Sequence, residues 1–258
     1  MPIFGRVREI YRLTSKPRDI FWNRFVARPP AAVLVALLEK TSTTPNQVTL
    51  ASLAVFLVCA GLLVVMPGHL GLLVAIAVLE ASYVLDCVDG QLARASGRSS
   101  PVGAHFDFLM DELKAFILVA AVAARLFEDS GSPRVLLEGL AALTAVASGI
   151  SLTTFTRRPE YRAVAGKPSS QGAGDYGDGF AAAAPESPLP PPRRSLIGRV
   201  VGFVEGIGKY LIHYPSYLVY VAIANRLDIF LHIYLAVNAA YAARAMAQVA
   251  RALGRRPA

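Results

Sequence analysis

The apolar residues of this chain gather into long blocks, and the charges fall unevenly between them. A helix that crosses a bilayer needs roughly 20 mostly apolar residues. Six stretches meet that requirement: about 48–66, 70–88, 108–127, 135–156, 208–225 and 228–247. The first, VTLASLAVFLVCAGLLVVM, carries no charge, whereas the last two are rich in Tyr and His.

The polar segments between these blocks set an orientation. Residues 1–47 hold Arg6, Arg8, Arg12, Lys16, Arg18, Arg24, Arg28 and Lys40. The 67–69 turn holds no basic residue, and 89–107 holds Arg94 and Arg98. The 128–134 segment has only Arg134, set against Glu128 and Asp129. Residues 157–207 are basic again, with Arg157, Arg158, Arg162, Lys167, Arg193, Arg194 and Arg199, and the chain closes on Arg251, Arg255 and Arg256. Basic and poor segments therefore alternate, which predicts six spans with both termini in the cytoplasm. Residues 16–40 mix aromatic, basic and apolar positions, as does a helix lying in the membrane interface. The expected fold class is all-α: a polytopic membrane protein with six transmembrane helices and an N-terminal interfacial amphipathic helix. The expected organisation is a cytoplasmic N-terminus over 1–47, a transmembrane domain over 48–247 and a basic tail over 248–258. Within the domain, 163–195 is rich in Gly, Ala, Ser and Pro and reads as a flexible cytoplasmic loop.

Composition supports that picture. Apolar residues make up 54% of the 258 residues and charged residues 17%, too apolar for a typical soluble domain. A net charge of +8 would suggest nucleic acid in a soluble protein. Here the positive-inside loops account for it, meeting anionic membrane lipids, and no nucleic-acid partner is expected. The two cysteines, Cys59 and Cys87, have no CxxC spacing, so neither a disulfide framework nor a zinc site is expected. The N-terminus lacks a short apolar core with a cleavage site, and no removable signal peptide is expected.

The candidate chemistry lies in LDCVDGQLARASGRSSPVGAHFDFLMDELK, residues 85–114. Asp86 and Asp89 are three apart at the end of the second span, and Asp107 and Asp111 are four apart at the start of the third. Such spacings put each pair on one helix face. A short connection makes the two spans antiparallel neighbours, so the pairs can face each other near the cytoplasmic boundary. Four carboxylates in one place raise each other's pKa and resist desolvation. Divalent cations resolve the conflict, and oxygen ligands suit Mg²⁺, Mn²⁺ or Ca²⁺. Two ions a few Å apart would clamp a diphosphate. Gly90 would let a phosphate approach the backbone, Ala93 keeps the surface low, Arg94 could neutralise a phosphate or pair with a carboxylate, and Gly103 would permit tight packing before the third span. The plain alternative is a set of solvated loop aspartates.

Asp86, Asp89, Gly90, Ala93, Arg94, Gly103, Asp107 and Asp111 match D-x2-D-G-x2-A-R-x8-G-x3-D-x3-D at every position. This resembles the signature of the CDP-alcohol phosphotransferases, also called CDP-alcohol phosphatidyltransferases. Pro45, Asn46 and Thr49 at the start of the first span are similar to the family more weakly. The resemblance implies that the four aspartates ligate Mg²⁺ or Mn²⁺, with two ions expected. It implies a CDP site formed by Asp86, Asp89, Gly90, Ala93, Arg94 and Gly103, with Asn46 and Thr49 as possible nucleotide contacts. It makes Asp111 the base for the acceptor hydroxyl, which attacks the β-phosphorus as CMP leaves. It also implies a homodimer.

Other residues carry weaker signals. Arg157 and Arg158 resemble the basic residues that follow span four in members using phosphorylated acceptors, although an ordinary positive-inside flank is the simpler reading of them. Lys209 opens span five on the same side. Arg125 is placed near the outer face. Glu80, about two turns deeper than Asp86, could bind an acceptor hydroxyl or pair within the bundle. Lys114 reads as part of an internal ion pair, and His213 and His232 as packing and interface residues.

The expected function is metal-dependent transfer of a phosphatidyl group from a CDP-linked lipid donor, CDP-diacylglycerol, to an alcohol or alcohol-phosphate acceptor in a bacterial-type cell membrane, with the site at the cytoplasmic face. Candidate acceptors are glycerol 3-phosphate, serine, inositol and inositol phosphate. Transfer from CDP-choline, CDP-ethanolamine or CDP-inositol is the alternative within the family. A divalent-cation transporter built on the same aspartates is the alternative from another class, and a catalytically dead scaffold a third, although no ligand is lost.

Overall fold

A computed structural model describes residues 3–15, 19–165, 207 and 210–254. Every element among them is helical. The helices are α1 (Ile3–Thr14), a π-helical turn (Asn23–Ala27), α2 (Arg28–Leu38), α3 (Pro45–Val65), α4 (Gly68–Ala95), α5 (Pro101–Ser130), α6 (Pro133–Arg157), α7 (Pro159–Val164), α8 (Pro215–Ile223) and α9 (Leu227–Leu253).

Local chemistry sets the boundaries. Thr44 caps α3 in a reciprocal pair with Gln47, and Pro45 occupies the first turn where no amide hydrogen is needed. Ser100 caps α5 by accepting from the Gly103 amide, with Pro101 in the same role. Gly131, at φ 65°, ends α5 in the left-handed region that glycine tolerates.

Among the described residues, α3, α4, α6 and α9 are long and apolar enough to cross a membrane. They correspond to the expected spans 48–66, 70–88, 135–156 and 228–247. The expected span 108–127 lies in α5, which has the length but carries Asp111, Glu112, Lys114 and Arg125. Of the expected span 208–225, Lys209 is outside the described residues, and α8 supplies nine residues. Of the expected loop, only 163–165 is described, at the end of α7. Lys16, Arg18, Lys167, Arg193, Arg194, Arg199, Arg255 and Arg256 are likewise outside.

The polar connection expected over 89–107 is much shorter. α4 continues to Ala95 and α5 begins at Pro101, so only 96–100 join them. Hydropathy falls where the charges begin, but Gln91, Leu92, Ala93, Arg94 and Ala95 are good helix formers. The turn comes at Gly97, at φ 66°. At 28 residues, α4 is about 42 Å long, against a hydrocarbon core of about 30 Å. Its last turns therefore project beyond the apolar layer. A further helix, α1, forms where the sequence reading placed no element.

α3 packs on α4 and α5, α6 packs on α5 and α9, and α8 packs on α4 and α9. Phe56, Leu63, Leu79, Leu118, Leu218 and Phe230 fill the larger core. Ile10, Ala31, Val35, Val48, Val88 and Leu92 form a smaller one, where α1 and α2 cover the ends of α3 and α4. α3 is apolar on all sides: Phe56, Cys59 and Leu63 are buried, while Leu50, Leu57 and Val58 face outward. Outward apolar faces of this kind suit lipid. At the opposite end, buried Arg125 donates to the carbonyls of Leu63, Met66 and Gly68 at 3.2, 2.6 and 2.8 Å and to Asp129 at 2.7 Å. It thereby supplies donors to the Leu63 and Met66 carbonyls where α3 ends and ties them to Gly68, the first residue of α4.

Candidate active site

α4 and α5 bring the motif together. Asp86 and Asp89 occupy one face of α4, and Asp107 faces them from α5. Each of the three offers a carboxylate oxygen, all within 4.8 Å of one another. Asp89 is buried at 4% exposure. Three hard oxygen donors at this separation fit Mg²⁺ or Mn²⁺, which bind through carboxylates and waters. Asp111, one turn beyond Asp107, is not part of that trio. It is half-exposed, with an oxygen 3.6 Å from the Lys114 ammonium.

Lys114 is the least exposed charge of the group, at 3% for its side chain. Its ammonium pairs with Asp86 and donates to Ser52 Oγ at 3.0 Å. Ser52 and Ser82 exchange hydroxyl-to-carbonyl bonds of 2.8 Å in both directions, which locks α3 against α4 beside the site. The internal pair read from sequence is present, and it bridges three helices rather than one.

The remaining motif residues fall as follows. Thr49 donates its hydroxyl to Asp89 Oδ2 at 2.5 Å, so it orients a carboxylate. Gly90 lies inside α4, and a Cβ there would stand 3.3 Å from the Arg94 guanidinium, which folds back across it. Close approach at Gly90 is therefore occupied by Arg94 in this structure. Ala93 is partly exposed one turn further on. A Cβ on Gly103 would meet Ser100 Oγ at 3.0 Å and Asn46 Oδ1 at 3.5 Å. Gly103 thus lets the start of α5 pack against exposed Asn46, at the start of α3. The Arg157 guanidinium lies 4.9 Å over the Phe108 ring, adjacent in sequence to Asp107. Arg158 is exposed at the N-terminus of α7.

Deeper in the bundle is a polar ladder that sequence reasoning largely missed. Trp22 Nε1 donates to Glu80 Oε2 at 3.0 Å, so the polar partner expected for Glu80 is an indole from the N-terminal segment. The Tyr83 hydroxyl contacts Asn23 and lies 2.6 Å from His213 Nε2. Asp19 pairs with Arg28. The one available signal was the spacing of Tyr83, three residues before Asp86 on the same face. Asn23 and His213 are too distant in sequence to have been placed there. His232 contacts Glu138 at 3.2 Å on the surface.

The sequence was also compared with known proteins. The pattern of the family described as CDP-alcohol phosphatidyltransferase matches residues 42–171, half of the chain, including α3 to α6 and the whole aspartate motif. A bifunctional IPC transferase and DIPP synthase from Rubrobacter xylanophilus is 32% identical over 120 residues, covering 46% of this chain and 25% of that protein. A phosphatidylinositol phosphate synthase from Corynebacterium glutamicum is 33% identical over 114 residues, covering 43% of this chain and 51% of that protein. The match thus spans a quarter and about half of these relatives' lengths. Four helices apt to cross a bilayer agree with a membrane protein. An eight-position motif, three of its carboxylates gathered between two helices, and a family match over half the sequence lead to one conclusion: this chain belongs to the CDP-alcohol phosphatidyltransferase family.

Proposed function

We propose that this protein transfers a phosphatidyl group from CDP-diacylglycerol to the hydroxyl of a phosphorylated polyol, inositol phosphate, and releases CMP. The observation that carries the reading is the convergence of Asp86, Asp89 and Asp107 within 4.8 Å, with Asp111 one turn away on α5. The names of the two relatives, an IPC transferase with DIPP synthase activity and a phosphatidylinositol phosphate synthase, favour an inositol-containing acceptor.

Asp86, Asp89 and Asp107, joined by Asp111 when substrate is present, are the ligands for Mg²⁺ or Mn²⁺. When bound, two such ions would neutralise the donor's diphosphate and its leaving group. Thr49 fixes Asp89, and Lys114 fixes Asp86, so two of the carboxylates are oriented before substrate arrives. Arg94 swings from Gly90 to the diphosphate, and the exposed Asn46 and the Gly103 backbone flank the nucleotide. Asp111, the half-exposed carboxylate, accepts the proton of the acceptor hydroxyl. That oxygen forms a bond to the β-phosphorus, and the bond from this phosphorus to the CMP oxygen breaks in line. The electron pair leaves with CMP, and catalysis rests on positioning and charge stabilisation. Arg157 is suited to the acceptor's phosphate, because its guanidinium sits beside Phe108 next to Asp107. Arg158, on the exposed side, is a second candidate.

The same reading has six spans, with α5 and the 208–225 segment joining the four apolar helices, both termini in the cytoplasm and the site at the cytoplasmic face. Lipid-facing α3 and α6 leave room for a homodimer. α1 and α2 are the segments suited to the interface.

The test is to identify the product. Purified protein is incubated with CDP-diacylglycerol, Mn²⁺ and, separately, inositol phosphate, inositol, glycerol 3-phosphate or serine, and the lipid product is read by mass spectrometry. Phosphatidylinositol phosphate as the only product supports the reading. Product with another acceptor would reassign the substrate, and no product with any of them would rule out CDP-diacylglycerol as the donor.

A further inference from the structure

We propose that Lys114 is a built-in counter-cation of the carboxylate cluster, so that without a diphosphate the cluster takes a single divalent ion, on the Asp86–Asp89–Asp107 side. This rests on the reading above that the cluster binds metal.

The geometry divides the four carboxylates into two overlapping groups. Asp86, Asp89 and Asp107 converge within 4.8 Å. Asp86 and Asp111 instead bracket the Lys114 ammonium, in contact with the first and 3.6 Å from the second. Asp86 belongs to both groups. An ammonium has three donors and no acceptor, and it meets two carboxylates and Ser52 Oγ, 3.0 Å away. Ser52 is itself fixed by its exchange with Ser82. The ammonium is thus held on one side of the cluster by partners from α3, α4 and α5.

A simple structural ion pair would need one carboxylate. Here the lysine lies where a cation bridging Asp86 and Asp111 would lie. Its charge repels a second divalent ion at that place, strongly so because little solvent reaches it. It also holds the shared Asp86 carboxylate in one orientation. A second ion must therefore arrive with compensating negative charge, and the donor's diphosphate supplies it. Ion and donor would then bind cooperatively, each raising the other's affinity by the same factor.

The experiment titrates Mn²⁺ into the purified full chain in detergent and reads free Mn²⁺ by electron paramagnetic resonance, with and without CDP. The wild type is expected to bind one ion per chain without CDP and two with it. Lys114→Met should bind two ions without CDP, the second within tenfold of the first in affinity. Lys114→Arg, which keeps the charge, should bind one. Equal stoichiometry and affinity in wild type and Lys114→Met would reduce Lys114 to a structural pair and overturn the proposal. Two ions on the wild type without CDP would also overturn it, and that measurement stands even if Lys114→Met fails to fold. No Mn²⁺ on the wild type under either condition would overturn the metal reading itself.

Discussion

The hydroxyl of Thr49, on α3, donates to Asp89 Oδ2, on α4, at 2.5 Å, in a buried position. A hydrogen bond to a charged group contributes about 1.5–3 kcal/mol, and this one sets the direction of a carboxylate that the proposed function makes a metal ligand. Thr49→Val keeps the shape and removes the donor. It should raise the Mn²⁺ concentration for half-maximal activity about tenfold, in line with that energy, and Thr49→Ser should restore it. An unchanged metal requirement in Thr49→Val would leave Thr49 with no role in orienting Asp89.

Asp111 is separated from the converging trio and half-exposed, which suits a proton acceptor better than a buried ligand. Asp111→Asn should lower kcat by about 10²–10⁴, the usual range for a positioned base. Circular dichroism should stay near that of the wild type. A fall in CDP affinity with little change in kcat would make Asp111 a ligand alone.

The motif was legible in the sequence because its chemistry is local. Spacings of three and four residues place Asp86, Asp89, Asp107 and Asp111 on helix faces, and the short turn at Gly97 makes those faces meet. The apolar blocks located α3 and α6 and the starts of α4 and α9 to within a few residues, whereas α4 and α9 run on to Ala95 and Leu253, past the expected ends at 88 and 247. What stayed hidden depends on contacts between distant parts of the chain. Thr49 meets Asp89 forty residues away, and Trp22 reaches Glu80 across 58. No local pattern encodes such pairs. The extent of α4 was hidden for another reason. Hydropathy records where a helix leaves the apolar layer, not where it stops, so the last two turns of α4 read as a loop.

Arg125 ties the end of α3 and the start of α4 to α5 through three carbonyls and Asp129. Arg125→Met would remove the side-chain donor from the Leu63 and Met66 carbonyls at the end of α3, in an apolar setting. The expected loss is on the order of 3 kcal/mol, as for other broken buried networks. Thermal unfolding in detergent should show a lowered Tm, with activity per folded molecule unchanged. A normal Tm with reduced activity would place Arg125 in the reaction instead.

Arg6, on α1, holds Glu39, just beyond α2, through bonds of 2.9, 3.1 and 2.7 Å. Those bonds favour the ionised form and keep the Glu39 carboxyl below its usual range. A lowered folded-state pKa means that the contact is fully present above the ordinary carboxylate range and is lost as pH falls through the lowered value. Amide protection in α1, corrected for intrinsic exchange, should therefore be steady near neutrality and decline in acid. Arg6→Ala should show the reduced protection at neutral pH already, with no acid transition. An acid transition that survives in Arg6→Ala would assign it to another group.

The central claim is that the carboxylate cluster between α4 and α5 drives donor cleavage. Its most direct test is CMP release from CDP-diacylglycerol by the purified wild type and by Asp89→Asn, with inositol phosphate present and Mg²⁺ or Mn²⁺ added or chelated. The account predicts release that requires the metal and falls at least 100-fold in Asp89→Asn, the scale expected when transition-state charge stabilisation is lost. Release that persists under chelation, or that Asp89→Asn leaves intact, would contradict it.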